Sequence, residues 1–207
     1  VELAKAEEGK DCFLGYGFRV ISENGTERAL KVSVGCLGEL KHEKFRHDAM
    51  RDTIDGSPHV VSLVRSYVDD SAGVGAILFD RVGFPLKSRK KDVFGSLESL
   101  RALHIALGFS HGDSRKENTI WASHEEKKVV WVDLRTAQIV LTFSVEQRKE
   151  LFLQDIETLL ASFGTQVDRS ALESVAFDYL EYGKKLALFS ILEVVKSIWS
   201  SRTPLTS

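Results

Sequence analysis

Two carboxylates and an amide, placed around a short apolar strand, constrain this chain more than any other feature of its sequence. Asp113 stands five residues before Asn118 in the segment 111–118 (HGDSRKEN), and Asp133 follows the apolar run VVWV at 129–132. Carboxylate and amide oxygens are hard ligands that suit Mg²⁺. One further carboxylate can orient an attacking hydroxyl group in phosphoryl transfer. The order and spacing of these residues therefore predict a site for metal-assisted phosphate chemistry.

The first part of the chain has the pattern of a small sheet. Apolar runs of strand length alternate with turn signals, and one charged stretch with scattered apolar positions suits a surface helix. The strand candidates are 13–21, 28–34, 60–68 and 74–79, and the helical candidate is 39–54. We predict that residues 1–82 form one unit of five strands and one helix.

From Gly83 onward the pattern becomes helical. Apolar residues recur at three- and four-residue steps, as on one face of a helix, at Phe94, Leu97, Leu100, Leu103 and Leu107. Serine residues with capping-box spacing predict two later helices, which begin after Ser144 and Ser170. We predict a second, helix-rich unit over residues 83–207 that contains the loop 111–118.

The segment 111–118 and the position of Asp133 resemble the HxDxxxxN catalytic loop and the metal-binding DFG position of the protein kinase superfamily. The resemblance implies an α+β, two-lobed protein-kinase-like fold with a small antiparallel-sheet N-lobe and a helical C-lobe. It makes Asp113 the catalytic base and Asn118 and Asp133 the metal ligands. Arg115 matches a basic position that contacts the transferred phosphate.

The strand around Lys31 supports the same resemblance. Residues 29–32 (ALKV) are similar to the VAIK strand, whose lysine contacts the nucleotide phosphates. A lysine between apolar strand residues can also simply extend to solvent. The family partner of this lysine is an acidic residue on the following helix, and both Asp48 and Glu43 qualify.

Two further positions follow from the resemblance. Asp155 corresponds to a buried helix aspartate that braces the backbone of the catalytic loop, which is a structural role. Residues 78–83 (LFDRVG) correspond to the hinge beside adenine, which makes Asp80 and Val82 nucleotide-binding positions.

The chain departs from the family pattern at four places. The segment 9–15 does not fit the GxGxxG loop, Gly112 replaces the HRD arginine, and Arg135 stands where DFG has its glycine. Only residues 134–154 separate Asp133 from Asp155, and they carry no APE motif. These departures predict a kinase-like fold without a full activation segment.

Such features are typical of minimal kinases, and the chain resembles RIO-type kinases, the small kinase subunit of KEOPS, aminoglycoside phosphotransferases and crinkler-effector kinase domains. The resemblance implies an ATP- and Mg²⁺-dependent phosphotransferase that acts on a protein serine or threonine hydroxyl. The alternative is a pseudokinase that serves as a nucleotide-binding or protein-interaction module without turnover. The retained acidic residues favour the enzyme, whereas the lost glycines favour the module.

The composition and net charge of the chain limit the kinds of binding partner and cellular location that we expect. The formal net charge of −2 gives no indication of nucleic acid as a partner, so we expect ATP and a protein substrate or partner. Cys12 and Cys36 are expected to be reduced thiols, because a chain of this size needs no covalent staple. No transmembrane segment is predicted. We expect a soluble, intracellular protein, cytoplasmic or nuclear, and leave open a targeting segment before Val1.

Overall fold

The structure is a computed structural model that describes residues 13–21, 24–53, 59–87, 89–123 and 128–173. Most of the segment 9–15 and the predicted helix beyond residue 173 lie outside the described residues.

An antiparallel sheet of four strands occupies the first part of the chain. Its strands are β1 (Phe13–Ile21), β2 (Glu27–Val34), β3 (Leu63–Asp69) and β4 (Val74–Phe79), in the spatial order β1-β2-β4-β3. The Asn24-Gly25 pair makes the β1–β2 turn, in which Gly25 has φ +80° and the Thr26 amide donates to Asn24 Oδ1 at 3.1 Å. A fifth strand within residues 1–82 stays a prediction.

Helix α1 (Leu37–Thr53) follows β2 and contacts both the sheet and the turn after Asp133. Its buried positions are three or four residues apart, at Leu40, Glu43, His47 and Met50. Two of these four side chains are polar or charged. The buried face of α1 therefore carries polar and charged side chains as well as apolar core residues.

Short strands, two longer helices and short helical turns make up the second part between residues 84 and 162. The elements are β5 (Phe84–Pro85), α2 (Lys90–Arg101), β6 (Phe109–Ser110), β7 (Thr119–Ser123), β8 (Lys128–Trp131), β9 (Gln138–Ile139) and α3 (Val145–Ser162). A π-helical turn at Ala102–Ala106 continues α2, and 3₁₀ turns occupy Lys116–Asn118 and Leu134–Thr136. Strands β5, β7 and β8 form one small sheet, and β6 pairs with β9.

The core of the second part is built on the predicted leucine face. Leu97, Leu100, Leu103 and Leu107 are at most 1% exposed, whereas Phe94 is only partly buried at its edge. Helix α3 begins with the predicted capping box, because the Gln147 amide donates to Ser144 Oγ at 3.2 Å and the Ser144 amide donates to Gln147 Oε1 at 3.0 Å. This helix places Asp155 against the loop 111–118.

The cysteine prediction was wrong. Cys36 is disulfide-bonded rather than reduced, and Cys12, the only other cysteine of the sequence, lies outside the described residues. The pairing of Phe13 with Val34 brings the start of β1 beside the end of β2, and thus near Cys36.

No helix within the described ranges is both long and apolar enough to cross a membrane.

Candidate active site

The loop 111–118 is organised around the interaction of Asp113 with Asn118. The Asn118 amide nitrogen donates to the Asp113 carbonyl at 2.8 Å and to Asp113 Oδ2 at 3.0 Å. These bonds direct the amide oxygen of Asn118 away from Asp113, since the two ends of a side-chain amide point in opposite directions. The loop thus offers one carboxylate and one amide oxygen, and their roles as base and metal ligand stay predictions.

Arg115 covers the carboxylate of Asp113. Its Nε lies 2.7 Å from Oδ1 and its Nη2 lies 2.8 Å from Oδ2, which is a bidentate pair. Burial raises the pKa of Asp113, but hydrogen bonds from Arg115 and Asn118 outweigh burial and bring the pKa below its ordinary value. Asp113 is therefore ionised at neutral pH and can accept a hydrogen bond from a hydroxyl group.

His111 is a fully buried connector between this loop and β8. The Asp113 amide donates to His111 Nδ1 at 3.3 Å, and His111 Nε2 lies 3.2 Å from the Val132 carbonyl. Burial lowers the pKa of His111. Because Nδ1 accepts and Nε2 donates, the ring is the neutral tautomer with its proton on Nε2. It holds the loop against the chain just before Asp133.

Asp155 fixes the backbone of the loop from the opposite side. Its carboxylate accepts hydrogen bonds from the amides of His111 at 2.7 Å and Gly112 at 2.9 Å. It also contacts Ser110 Oγ and His104 Nε2, each at 2.9 Å. Burial raises the pKa of Asp155, but the His104 hydrogen bond and the charges around it leave the pKa below the ordinary value. This geometry matches a bracing role for Asp155.

Asp133 begins the next turn in an unusual backbone conformation. With φ 57° and ψ 68° it is the only non-glycine residue with positive φ among those the structure describes. The Val132 amide donates to the Asn118 carbonyl at 2.9 Å, which places Asp133 beside the loop 111–118. Left-handed backbone at a residue other than glycine is uncommon and often marks a functional position.

Lys31 connects Asp133 to helix α1. Its Nζ lies 2.5 Å from Glu43 Oε2 and 3.2 Å from Asp133 Oδ1. The other acidic candidate, Asp48, instead pairs with Lys44 at 2.5 Å. The structure therefore places Glu43, and not Asp48, beside Lys31. Burial raises the pKa of Glu43, although the charge of Lys31 opposes that effect.

Arg135 is a site residue that the sequence interpretation missed. Its Nε lies 2.5 Å from Asp133 Oδ1 and its Nη2 lies 2.8 Å from Oδ2, while Nη1 lies 2.8 Å from Glu39 Oε2 on α1. The sequence contained a signal, because the Asp-x-Arg spacing occurs both at 113–115 and at 133–135. Comparison with the DFG motif alone identifies Arg135 only as the loss of a glycine.

The predicted hinge, residues 78–83, begins within the last two residues of β4. The Asp80 amide donates to the Ser62 carbonyl at 2.9 Å, and its carboxylate accepts from the Ser62 amide at 3.0 Å and pairs with Arg81 at 2.8 Å. The Asp80 amide is therefore occupied by Ser62, and adenine binding at Asp80 stays a prediction. Val82 lies two residues further on, is partly buried, and stands between β4 and β5.

The donor atoms at the predicted metal position suit magnesium in their chemistry. Asn118 and Asp133 offer amide and carboxylate oxygens, the hard ligands that Mg²⁺ prefers, and Mg²⁺ commonly uses one or two such groups together with phosphate oxygens. Within the described residues no group of three or more histidine, cysteine, aspartate or glutamate side chains could hold a metal ion by itself. Magnesium bound here would complete its ligands with water molecules or with phosphate oxygens.

The chain is similar to known proteins in structure but not in detectable sequence. No protein-family model matches it, and no curated protein is similar to it in sequence. Among solved structures, 1623 chains match. One is the crystal structure of the PF14_0431 kinase domain, with a TM-score of 0.51 and 12% identity over 78% of this chain and 61% of that one. The chain thus spans less than two thirds of that domain, and the likeness is one of fold: this chain has a protein-kinase-like fold.

Proposed function

We propose that this chain is an ATP- and Mg²⁺-dependent phosphotransferase of the minimal protein kinase type, which transfers a phosphoryl group to a serine or threonine hydroxyl of a protein. The observation that carries the proposal is the position of Lys31, between Glu43 at 2.5 Å and Asp133 at 3.2 Å. Phosphoryl transfer in protein kinases needs a strand lysine held by a helix glutamate beside the metal-binding aspartate. Three separate elements bring these groups together.

We further propose that the fold has two lobes, residues 1–82 and 83–207, with the hinge at 78–83. The sheet and α1 on one side and the helical core on the other favour this division. Helix α3 starts at Val145, soon after the 3₁₀ turn at Leu134–Thr136. This short connection supports a truncated activation segment, which would give a peptide substrate no extended platform.

Each residue has a role in the proposed reaction. Asp113 orients the attacking hydroxyl and takes its proton as the new O–P bond forms and the bond to ADP breaks. Lys31 and Arg115 offset negative charge on the phosphate oxygens. Magnesium, when bound, would neutralise further phosphate charge. Asn118 and Asp133 supply the oxygens that would hold it.

A second candidate function is a nucleotide-binding module without turnover. Both predicted active carboxylates are already paired with arginine: Asp113 with Arg115, and Asp133 with Arg135. A carboxylate held by a bidentate guanidinium group is a weaker acceptor for a hydroxyl proton or a metal ion. This observation favours a pseudokinase if neither arginine moves when nucleotide binds.

Thermal denaturation with ATP, with and without Mg²⁺, tests the proposed function. A ligand that binds only the native state, present at about 100 times its Kd, stabilises that state by about 2.7 kcal/mol. The wild-type chain should therefore melt at a higher temperature with Mg-ATP. Asp133→Ala should stay folded and lose this shift, whereas the control Asp70→Ala, an exposed carboxylate paired with Lys41, should keep it. An unchanged shift in Asp133→Ala would reject the assignment.

A further inference from the structure

Five charged side chains form a continuous series of ion pairs, which we call the charge ladder: Glu43–Lys31–Asp133–Arg135–Glu39. The successive shortest distances are 2.5, 3.2, 2.5 and 2.8 Å. Both ends of the ladder are on α1, because Glu39 and Glu43 lie one helical turn apart on that helix. The ladder therefore starts on α1, crosses β2 and the turn at 133–135, and returns to α1.

Arg135 is the most constrained member of the ladder. All three of its guanidinium nitrogens have carboxylate partners: Nε and Nη2 contact Asp133, and Nη1 contacts Glu39. Its side chain is 27% exposed and that of Asp133 is 23% exposed, so solvent weakens the pair less than it would at an open surface. The hydrogen bond to Asp133 raises the pKa of Arg135, which stays charged throughout the physiological range.

The bidentate pair occupies the oxygens that a metal ion would need. Asp133 Oδ1 already accepts from Arg135 and Lys31, and Oδ2 accepts from Arg135. A carboxylate offers about four lone-pair positions in total. A divalent cation on Asp133 would also lie next to a positively charged guanidinium group, which is repulsive.

We propose that Arg135 is an internal competitor of the divalent metal at Asp133, held there by Glu39, so that metal binding requires the guanidinium group to leave. This inference rests on the proposed function, since it concerns the same site. When Arg135 leaves, its bond to Glu39 breaks as well, while the bond between Lys31 and Glu43 remains. Metal binding and the contact between α1 and the turn at 134–136 are thereby coupled.

Binding of Mn²⁺ in the absence of nucleotide tests the competition directly, because Mn²⁺ prefers the same oxygen ligands as Mg²⁺ and free Mn²⁺ gives an electron paramagnetic resonance signal. The wild-type chain is compared with Arg135→Ala. The matched control is Arg169→Ala, which removes another arginine with several carboxylate partners, Glu150, Glu157 and Glu173, outside the site.

Arg135→Ala should bind Mn²⁺ about tenfold more tightly than the wild type, since losing even one charge-assisted hydrogen bond to the competitor is about one tenfold step in an equilibrium constant. Arg169→Ala should bind Mn²⁺ as the wild type does. Glu39→Gln leaves Arg135 in place but removes its second partner, so it should give a smaller gain. If Arg135→Ala does not fold, the Mn²⁺ affinity of Glu39→Gln tests the competition in its place.

The proposal is overturned if neither Arg135→Ala nor Glu39→Gln gains Mn²⁺ affinity, or if no variant binds Mn²⁺. It is also overturned if Arg135→Ala weakens ATP binding without metal and leaves Mn²⁺ affinity unchanged, because Arg135 would then be a phosphate ligand. A gain in Mn²⁺ affinity without any ATP-dependent thermal shift supports the competition and counts against the proposed phosphotransferase.

Discussion

Gly112 lies so close to Thr136 that a β-carbon on it would be 2.6 Å from the Thr136 carbonyl oxygen. Gly112 also has φ +75°, which side-chain-bearing residues rarely adopt. On the same surface, Thr136 Oγ1 donates to the His111 carbonyl at 3.0 Å. The loop 111–118 and the turn after Asp133 are thus packed backbone to backbone, and only glycine fits between them.

Gly112→Ala should destabilise the protein by about 3 kcal/mol, because left-handed strain and a steric overlap with backbone act together. Gly73→Ala is the matched control, since Gly73 also has positive φ but has no atom within 4 Å of the added carbon. It should cost about 1 kcal/mol. Urea denaturation measures both values. Equal losses would mean that the loop can move away from Thr136.

Gly112 also illustrates what the sequence could and could not predict. The sequence shows Gly112 only as the replacement of the HRD arginine, which in the family contacts a phosphorylated activation loop. The contact with Thr136, 24 positions later in the chain, was not visible, because it depends on tertiary packing. Local patterns were more informative. The leucine face of α2 and the capping box at Ser144 were predicted from spacing alone, and both are present.

The acidic partner of Lys31 also could not be identified from the sequence alone. Glu43 and Asp48 were equal candidates by sequence, since both stand on one helix. The structure selects Glu43 because it shares the buried face of α1 with Leu40 and His47, while Asp48 lies at the side of the helix, near Lys44. The hydrophobic pattern of α1 is too weak to fix that face, because two of its buried positions are not apolar.

Asp155→Asn should destabilise the protein by about 3 kcal/mol, because an amide has one acceptor oxygen fewer and leaves buried donors of the loop 111–118 unpaired. The control is Asp168→Asn, whose exposed side chain accepts from the Ser170 amide at 3.0 Å at the start of a helix. Asparagine serves equally well at such a position, so this change should cost little. Chemical denaturation of both variants decides the matter, and similar small losses would contradict the bracing role.

His47 should make stability fall as pH decreases below neutrality. Burial lowers the pKa of His47 from 6.5 to about 4, and its Nε2 has no hydrogen-bond partner among the described residues. Between these two pKa values, His47 is protonated in the unfolded chain and neutral in the folded chain. The contribution of His47 to stability is complete above pH 6.5 and is lost progressively between pH 6.5 and about 4, by up to about 3 kcal/mol.

His47→Leu should flatten the curve of unfolding free energy against pH in this window. His42→Gln, an exposed histidine on the same helix, should leave the curve unchanged. The measurement is urea denaturation at several pH values between 7 and 4, with the wild type alongside. An identical slope for wild type and His47→Leu would show that His47 is not the titrating group.

Asp113 decides whether this chain is an enzyme. In phosphoryl transfer the protein mainly positions groups and offsets charge, so removing the base should lower turnover while leaving nucleotide binding nearly intact. Asp113→Ala should reduce the rate by roughly 10²–10⁴, the usual scale of general acid–base assistance. Mg-ATP binding should change far less, because Lys31, Asn118 and Asp133 stay in place.

Autophosphorylation and ATP hydrolysis are measured for wild type, Asp113→Ala and the surface control Asp70→Ala, with Mg-ATP binding followed by thermal shift on the same samples. Asp70→Ala should match the wild type in both measurements. Turnover by the wild type no higher than by Asp113→Ala, alongside normal Mg-ATP binding, would favour the nucleotide-binding module. In that case the bidentate pairing of Arg115 with Asp113 would be the resting and the only state of this carboxylate, since no hydroxyl group would ever replace the guanidinium group.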